Sequence, residues 1–302
     1  MITPPYLKKG DRIGVVSPAR KVTFPEIHHA IKTFQGWGLE PVLAMNVLAG
    51  ENQFAGSDQQ RIRDLQQMMD DDTIRAVICT RGGYGTVRVI DHLDFTRFRK
   101  NPKWIIGFSD ITVLHARINQ RLHTETIHGI MPFNFSEEAP VKESIELLRS
   151  ALFGEPVSYH FKPHPFSRPG NAKGKLAGGN LSILYSLMGS EDEIETEGKI
   201  LFLEDLDEYL YHVDRMMMNL LRAGKLNHLN GLLVGGMNDM KDNAVPFGKS
   251  AYEIIAGITE RFDYPVGFGF PAGHEPLNKA LILGREITLQ IEQEEGVTLF
   301  LD

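Results

Sequence analysis

A serine that ends an apolar strand and opens a helix is well placed to act as a nucleophile. Ser109 stands at such a junction, in the run Trp104-Ile105-Ile106-Gly107-Phe108-Ser109-Asp110-Ile111-Thr112. The strand lifts the hydroxyl out of the core, and the helix offers unpaired N–H groups and its positive end to an oxyanion. A Ser-Asp pair before a helix is also an ordinary cap. Position favours chemistry here, because open α/β sheets bind ligands at the carboxyl ends of their strands, and the N–H of Asp110 follows at once. The segment is not the Gly-x-Ser-x-Gly elbow.

Three further segments carry chemistry-bearing residues. Arg81-Gly82-Gly83-Tyr84-Gly85-Thr86 follows a strand and matches neither the dinucleotide fingerprint nor the phosphate loop. Its glycines suit a tight turn, a phosphate cradle, or a loop presenting N–H groups to an oxyanion or substrate. Glu204 is the first charge after Ile200-Leu201-Phe202-Leu203, at another strand's carboxyl end, where a carboxylate can orient an imidazole. With Asp205, Asp207 and Glu208 it offers a magnesium site as the competing reading. His274, in Gly273-His274-Glu275-Pro276, lies in a loop fixed by Gly and Pro just past a strand, the usual setting of a positioned base; His128, which ends a strand, is the rival.

The elements that must position these residues are legible as alternating patterns. Strands are expected at Ile13–Ser17, Pro41–Met45, Ile74–Cys79, Trp104–Phe108 and Thr126–His128. Helices fall between them: one with Ile27, Ala30, Ile31, Phe34 and Trp37 at helical spacing, one at Asp58–Met69 with Ile62, Leu65, Met68 and Met69 on its apolar side, and others at Thr86–Leu93 and Ile111–Leu122. Near-continuous apolar strands in βα repeats imply a doubly wound parallel sheet. From Met131 to Ala172, prolines including Pro163 loosen the pattern around one helix, Val141–Leu152, and this stretch reads as a connection. Beyond it come strands at Lys199–Leu203, Leu229–Val234 and Pro265–Phe268, helices at Tyr211–Ala223 and Ser250–Phe262, and an antiparallel tail at Lys279–Asp302. The expected organisation is an N-terminal domain over 1–130, a linker over 131–172 and a smaller C-terminal α/β domain over 173–302.

Composition narrows the function. The 302 residues, 42% of them hydrophobic, can bury a large core. A net charge of −7 disfavours nucleic acid or an anionic membrane as partner. No signal-like or 18-residue apolar segment is present, so the expected location is cytoplasmic. The single cysteine, Cys79, excludes an internal disulfide and sits in an apolar run as a buried thiol. Zinc-type spacings are missing, and no cofactor is expected.

Taken together, these segments resemble the LD-carboxypeptidase family of serine peptidases, which includes the microcin-immunity peptidases. The resemblance runs from Leu7-Lys8-Lys9-Gly10-Asp11-Arg12 and Ser17-Pro18-Ala19 through Arg81-Gly82-Gly83-Tyr84-Gly85, Gly107-Phe108-Ser109-Asp110, Gly178-Gly179-Asn180-Leu181 and Phe202-Leu203-Glu204-Asp205 to Gly273-His274. It implies Ser109 as nucleophile, His274 as general base and Glu204 as the acid that orients it, with the N–H groups of Gly82 and Asp110 as oxyanion hole. It also implies a Rossmann-like N-terminal domain that holds the nucleophile and a second domain that holds both its partners, and a homodimer. The chain departs from the family at Arg20, where a small residue is frequent, and at Ile282, where proline is common.

The activity implied is hydrolysis of an amide between an L-centre and a C-terminal D-amino acid, as in murein tetrapeptides of cell-wall recycling. Arg81 is then the candidate for the terminal carboxylate, with Tyr84 and Asn180 as further substrate contacts. A peptidase acting on peptidyl- or aminoacyl-nucleotides is the alternative within the family. A non-catalytic nucleotide- or sugar-binding protein using the glycine loop is the alternative outside it.

Overall fold

Strand ends decide where this chain can do chemistry, and a computed structural model describing residues 1–162, 164–292 and 296–301 places them. Pro163, and residues 293–295 and 302 of the expected tail, lie outside the described residues. The first half alternates β1 (Arg12–Val16), α1 (Phe24–Gly36), β2 (Glu40–Leu43), α2 (Asp58–Asp70), β3 (Ile74–Cys79), α3 (Thr96–Lys100), β4 (Trp104–Gly107), α4 (Thr112–Arg121), β5 (Thr126–His128) and α5 (Ala139–Phe153). Capping boxes start two of these helices: Thr23 with Glu26 opens α1 and Ser57 with Gln60 opens α2.

The five strands pair in parallel in the order β2-β1-β3-β4-β5. This is a doubly wound order whose switch point falls between β1 and β3, where ligands of such sheets bind. Ile13, Val15, Val77, Ile78, Trp104, Ile105, Ile106 and Ile127 are fully buried in it. Cys79 is enclosed at the end of β3, and burial pushes its thiol pKa far up. The helix expected at Thr86–Leu93 forms instead as two 3₁₀ turns, Thr86–Arg88 and Ile90–His92. Gly85 at its start and the β-branched Thr86, Val87, Val89 and Ile90 supply little helix propensity.

The second half carries β6 (Ser158–Phe161), β7 (Gly170–Asn180), α6 (Leu181–Ser186), β8 (Ile200–Leu206), α7 (Leu210–Arg222), β9 (Gly231–Asn238), α8 (Ala251–Thr259), β10 (Val266–Phe268), β11 (Leu281–Leu283), β12 (Glu286–Glu292) and β13 (Gly296–Leu301). Its sheet runs β10-β9-β8-β7-β12-β13-β6, parallel through the first four strands and antiparallel beyond β7. Leu201, Leu203, Leu232 and Val234 of the parallel part pack against Val213, Met216, Met217, Ile254 and Ile255 of α7 and α8.

Contacts divide the chain into Met1–Pro156 with Leu277–Ile282, and Val157–Pro276 with Leu283–Asp302. The stretch 131–172 thus supplies α5 to the first unit and β6 and the start of β7 to the second. The tail likewise divides: β11 joins the edge of the first sheet beside β5, while β12 and β13 form the antiparallel margin of the second.

Candidate active site

Ser109 lies at the head of a 3₁₀ turn, Ser109–Ile111, that leads from β4 into α4. Its backbone is left-handed, φ +63°, a conformation that costs a residue with a Cβ and that is found where surrounding structure enforces it. The turn holds the partly exposed side chain against the glycine loop. A Cβ on Gly82 would fall 2.8 Å from Ser109 Cβ, 3.0 Å from its Oγ and 3.4 Å from Asp110 N. Only glycine permits that approach, which brings the two residues named for the oxyanion hole alongside the hydroxyl.

Buried polar groups secure this arrangement. The carboxylate of Asp110 accepts from Thr86 N at 2.8 Å, tying the elbow to the end of the glycine loop. Burial raises the Asp110 pKa, opposed by the Thr86 hydrogen bonds and by the charge of Arg61. Arg61, enclosed on α2, donates through Nη1 to Pro18 O at 2.7 Å and to Gly85 O at 2.9 Å, and pairs through Nη2 with Asp58. It thereby joins the loop after β1 to the loop after β3. His115 of α4 sits 2.9 Å from Gly107 O; a carbonyl only accepts, so Nε2 carries the proton. Burial lowers the His115 pKa to about 4 and keeps the ring neutral. His128, the rival base, is fully buried with its ring against Phe108 and His115.

Arg81 leaves β3 beside the loop and stacks its guanidinium 3.8 Å above the Phe133 ring. Tyr84, at the loop's tip, is exposed.

In the second unit, Glu204 is completely buried on β8, and its Oε2 accepts from His274 Nδ1 at 2.7 Å. A register shift between β8 and β9 falls at this point, between Leu203 and Asp205, and such irregularities re-aim side chains. Gly273, at φ +102°, lets the His274 loop press onto the acid, since a Cβ there would lie 2.5 Å from Glu204 Oε2. Asn238 holds the His274 carbonyl. Burial works against a protonated His274, but the charge and hydrogen bond of Glu204, with Asp205 behind, outweigh it and raise the ring's pKa.

The acidic run does not assemble as a metal cluster. Glu204 goes to His274, Asp207 to Lys241 at 2.7 Å and Glu208 to His212 at 2.6 Å, while Asp205 accepts from Asn180 Nδ2 and Ser182 N. Burial and the neighbouring Glu204 push Asp205 up to about 7. Asn180 caps α6, its Oδ1 accepting from Ile183 N. Among the described residues, no group of three or more His, Cys, Asp or Glu converges for a metal ion.

Sequence reasoning did not find Arg61 or His115 as supporting residues; Gly273 was expected to fix the His274 loop, but not to lie against Glu204. A signal existed for Arg61, because it continues the buried stripe of Leu65, Met68 and Met69, whereas Ile62 is only half-buried.

Residues 13–129 match the model of the LD-carboxypeptidase N-terminal domain and residues 173–289 that of the C-terminal domain. The chain is 34% identical to the probable murein peptide carboxypeptidase of Bacillus subtilis (strain 168), covering 97% of this chain and 93% of that one. It is also similar to the crystal structure of muramoyltetrapeptide carboxypeptidase from Oxalobacter formigenes, at 25% identity and TM-score 0.85 over 95% and 97% of the two chains. The fold is shared as well by MccF in complex with glutamyl sulfamoyl guanosine, at 21% identity and TM-score 0.86 over 98% and 97%. The chain therefore belongs to the LD-carboxypeptidase family and is a hydrolase, a serine-type peptidase.

Proposed function

We propose that the protein removes a C-terminal D-amino acid from murein tetrapeptide through a Ser109–His274–Glu204 triad. Ser109 Oγ attacks the carbonyl that precedes the D-residue while His274, through Nε2, takes the hydroxyl proton. Glu204 fixes the ring's tautomer through Nδ1–H and stabilises the imidazolium. The N–H groups of Gly82 and Asp110 receive the oxyanion, each donor worth about 2.7–4 kcal/mol of barrier. His274 then protonates the departing amine, and water, deprotonated by the same ring, hydrolyses the acyl-enzyme to restore Ser109.

Arg81 takes the terminal carboxylate and Tyr84 contacts the peptide from the loop's tip. Asn180, expected as a substrate contact, is buried and contributes instead by holding Asp205, the neighbour of Glu204. The observation that carries this reading is the 2.7 Å bond from a wholly buried carboxylate to the imidazole, an arrangement suited to orienting a base. The names of the Bacillus and Oxalobacter relatives support the substrate class.

Incubation with murein tetrapeptide, read by mass spectrometry, is expected to yield tripeptide and D-alanine. Folded Ser109→Ala protein is expected to yield neither. An intact tetrapeptide beside a cleaved acyl-sulfamoyl nucleoside would move the protein to the immunity branch of the family.

A further inference from the structure

Among the described residues, two arginines beside the proposed nucleophile's loop pair with no carboxylate, in a chain whose net charge is −7. Arg61, Arg88, Arg97, Arg117 and Arg149 each reach a carboxylate. Arg20 and Arg81 form no ion pair among the described residues. Arg20 is exposed, and its stem lies along Gly83, where a Cβ would collide with its Cγ and Cδ. Its backbone N–H points at Gly82 O, 3.4 Å away. Arg81, one residue before Gly82, is held by its stack on Phe133. Burial lowers the Arg81 pKa, and the nearby Arg20 charge lowers it further. Glu26 acts on Arg81 only at a distance, its Oε2 accepting from Thr23 N and Oγ1.

Like charges near one another are unfavourable, and a guanidinium fork matches a carboxylate in two hydrogen bonds. In a peptide cut at its last bond, the free carboxylate is three bonds from the carbonyl carbon under attack. It must therefore fall close to the oxyanion donors, and Gly82, one of those proposed, lies between Arg81 and the Gly83 face that Arg20 covers.

We propose that Arg20 completes, with Arg81, a two-guanidinium site for the free α-carboxylate of the departing residue, and so makes the enzyme select peptides ending in an acid. This inference rests on the peptidase reading for its substrate class but not for its geometry, which lies within the first unit.

Calorimetric titration of the full-length Ser109→Ala protein with acetyl-L-lysyl-D-alanine, and with its C-terminal amide, tests it without turnover. The acid is expected to bind about tenfold tighter than the amide. Adding Arg20→Ala is expected to cut that preference several-fold, Arg81 alone then holding the carboxylate, and Arg20→Lys to leave an intermediate preference, with melting temperatures unchanged because Arg20 is exposed. Equal binding of acid and amide by Ser109→Ala, or a preference undiminished by Arg20→Ala, would overturn the proposal. A wild-type enzyme that fails to cleave the acid, beside an Arg20-dependent preference in binding, would remove the catalytic reading and leave the anion site standing.

Discussion

His274 owes its basicity to the carboxylates beside it. Desolvation alone would keep the ring neutral and weakly basic, but Glu204 and Asp205 reverse that, so its pKa lies above the ordinary histidine value. A general base works in its neutral form, so kcat/KM should fall as pH drops through this raised pKa. Glu204→Gln removes the charge that holds the value up. The acid limb of the pH profile should then move to lower pH, with kcat reduced about 10,000-fold and KM little changed. A pH–rate series on both proteins checks the direction and the split. Ser109 and Glu204 stand out in the sequence because each is a polar group at the end of an apolar run, and His274 because Gly and Pro flank it; of the three, the structure brings Glu204 and His274 together. The packing of Gly273 against Glu204 and the bond of His115 to a buried carbonyl were not legible, since steric fit and a buried carbonyl are announced by no spacing.

At the scale of elements, the proposed chemistry depends on how the ends of β1, β3 and β4 are tied together. Gly82→Ala adds only a methyl group, but one that meets Ser109 at 2.8 Å. It should lower kcat about 100-fold or more by displacing the oxyanion loop, with little change in melting temperature. Arg61→Met takes the guanidinium from the Pro18 and Gly85 carbonyls and leaves Asp58 to Arg88 alone, and should cost about 3 kcal/mol in urea unfolding. The βα rhythm of the first sheet could be read because its strands are unbroken apolar runs. β7 escaped because Gly170, Gly174, Gly178 and Gly179 stand where apolar residues would mark a strand, while Lys173 and Lys175 face solvent. The 86–93 segment misled by its helix-like apolar spacing, which β-branched residues after Gly85 turn into 3₁₀ geometry.

For the whole molecule, Ser109, the proposed nucleophile, belongs to one unit and the Glu204–His274 pair to the other. The chain does not pass once from the first to the second, because 277–282 returns to the first sheet before β12 enters the second. Truncation after Pro276 would strip β11 from one sheet and expose the edge of β7 in the other, removing the buried Ile287, Leu289 and Ile291. Such a chain should lose cooperative unfolding in both halves, as followed by circular dichroism, and should aggregate. His274 is proposed to activate Ser109. Treatment with a fluorophosphonate, followed by peptide mapping by mass spectrometry, should then give an adduct on Ser109 in the wild type that is nearly abolished in folded His274→Ala. An adduct on another residue, or equal labelling of Ser109 in both proteins, would contradict it.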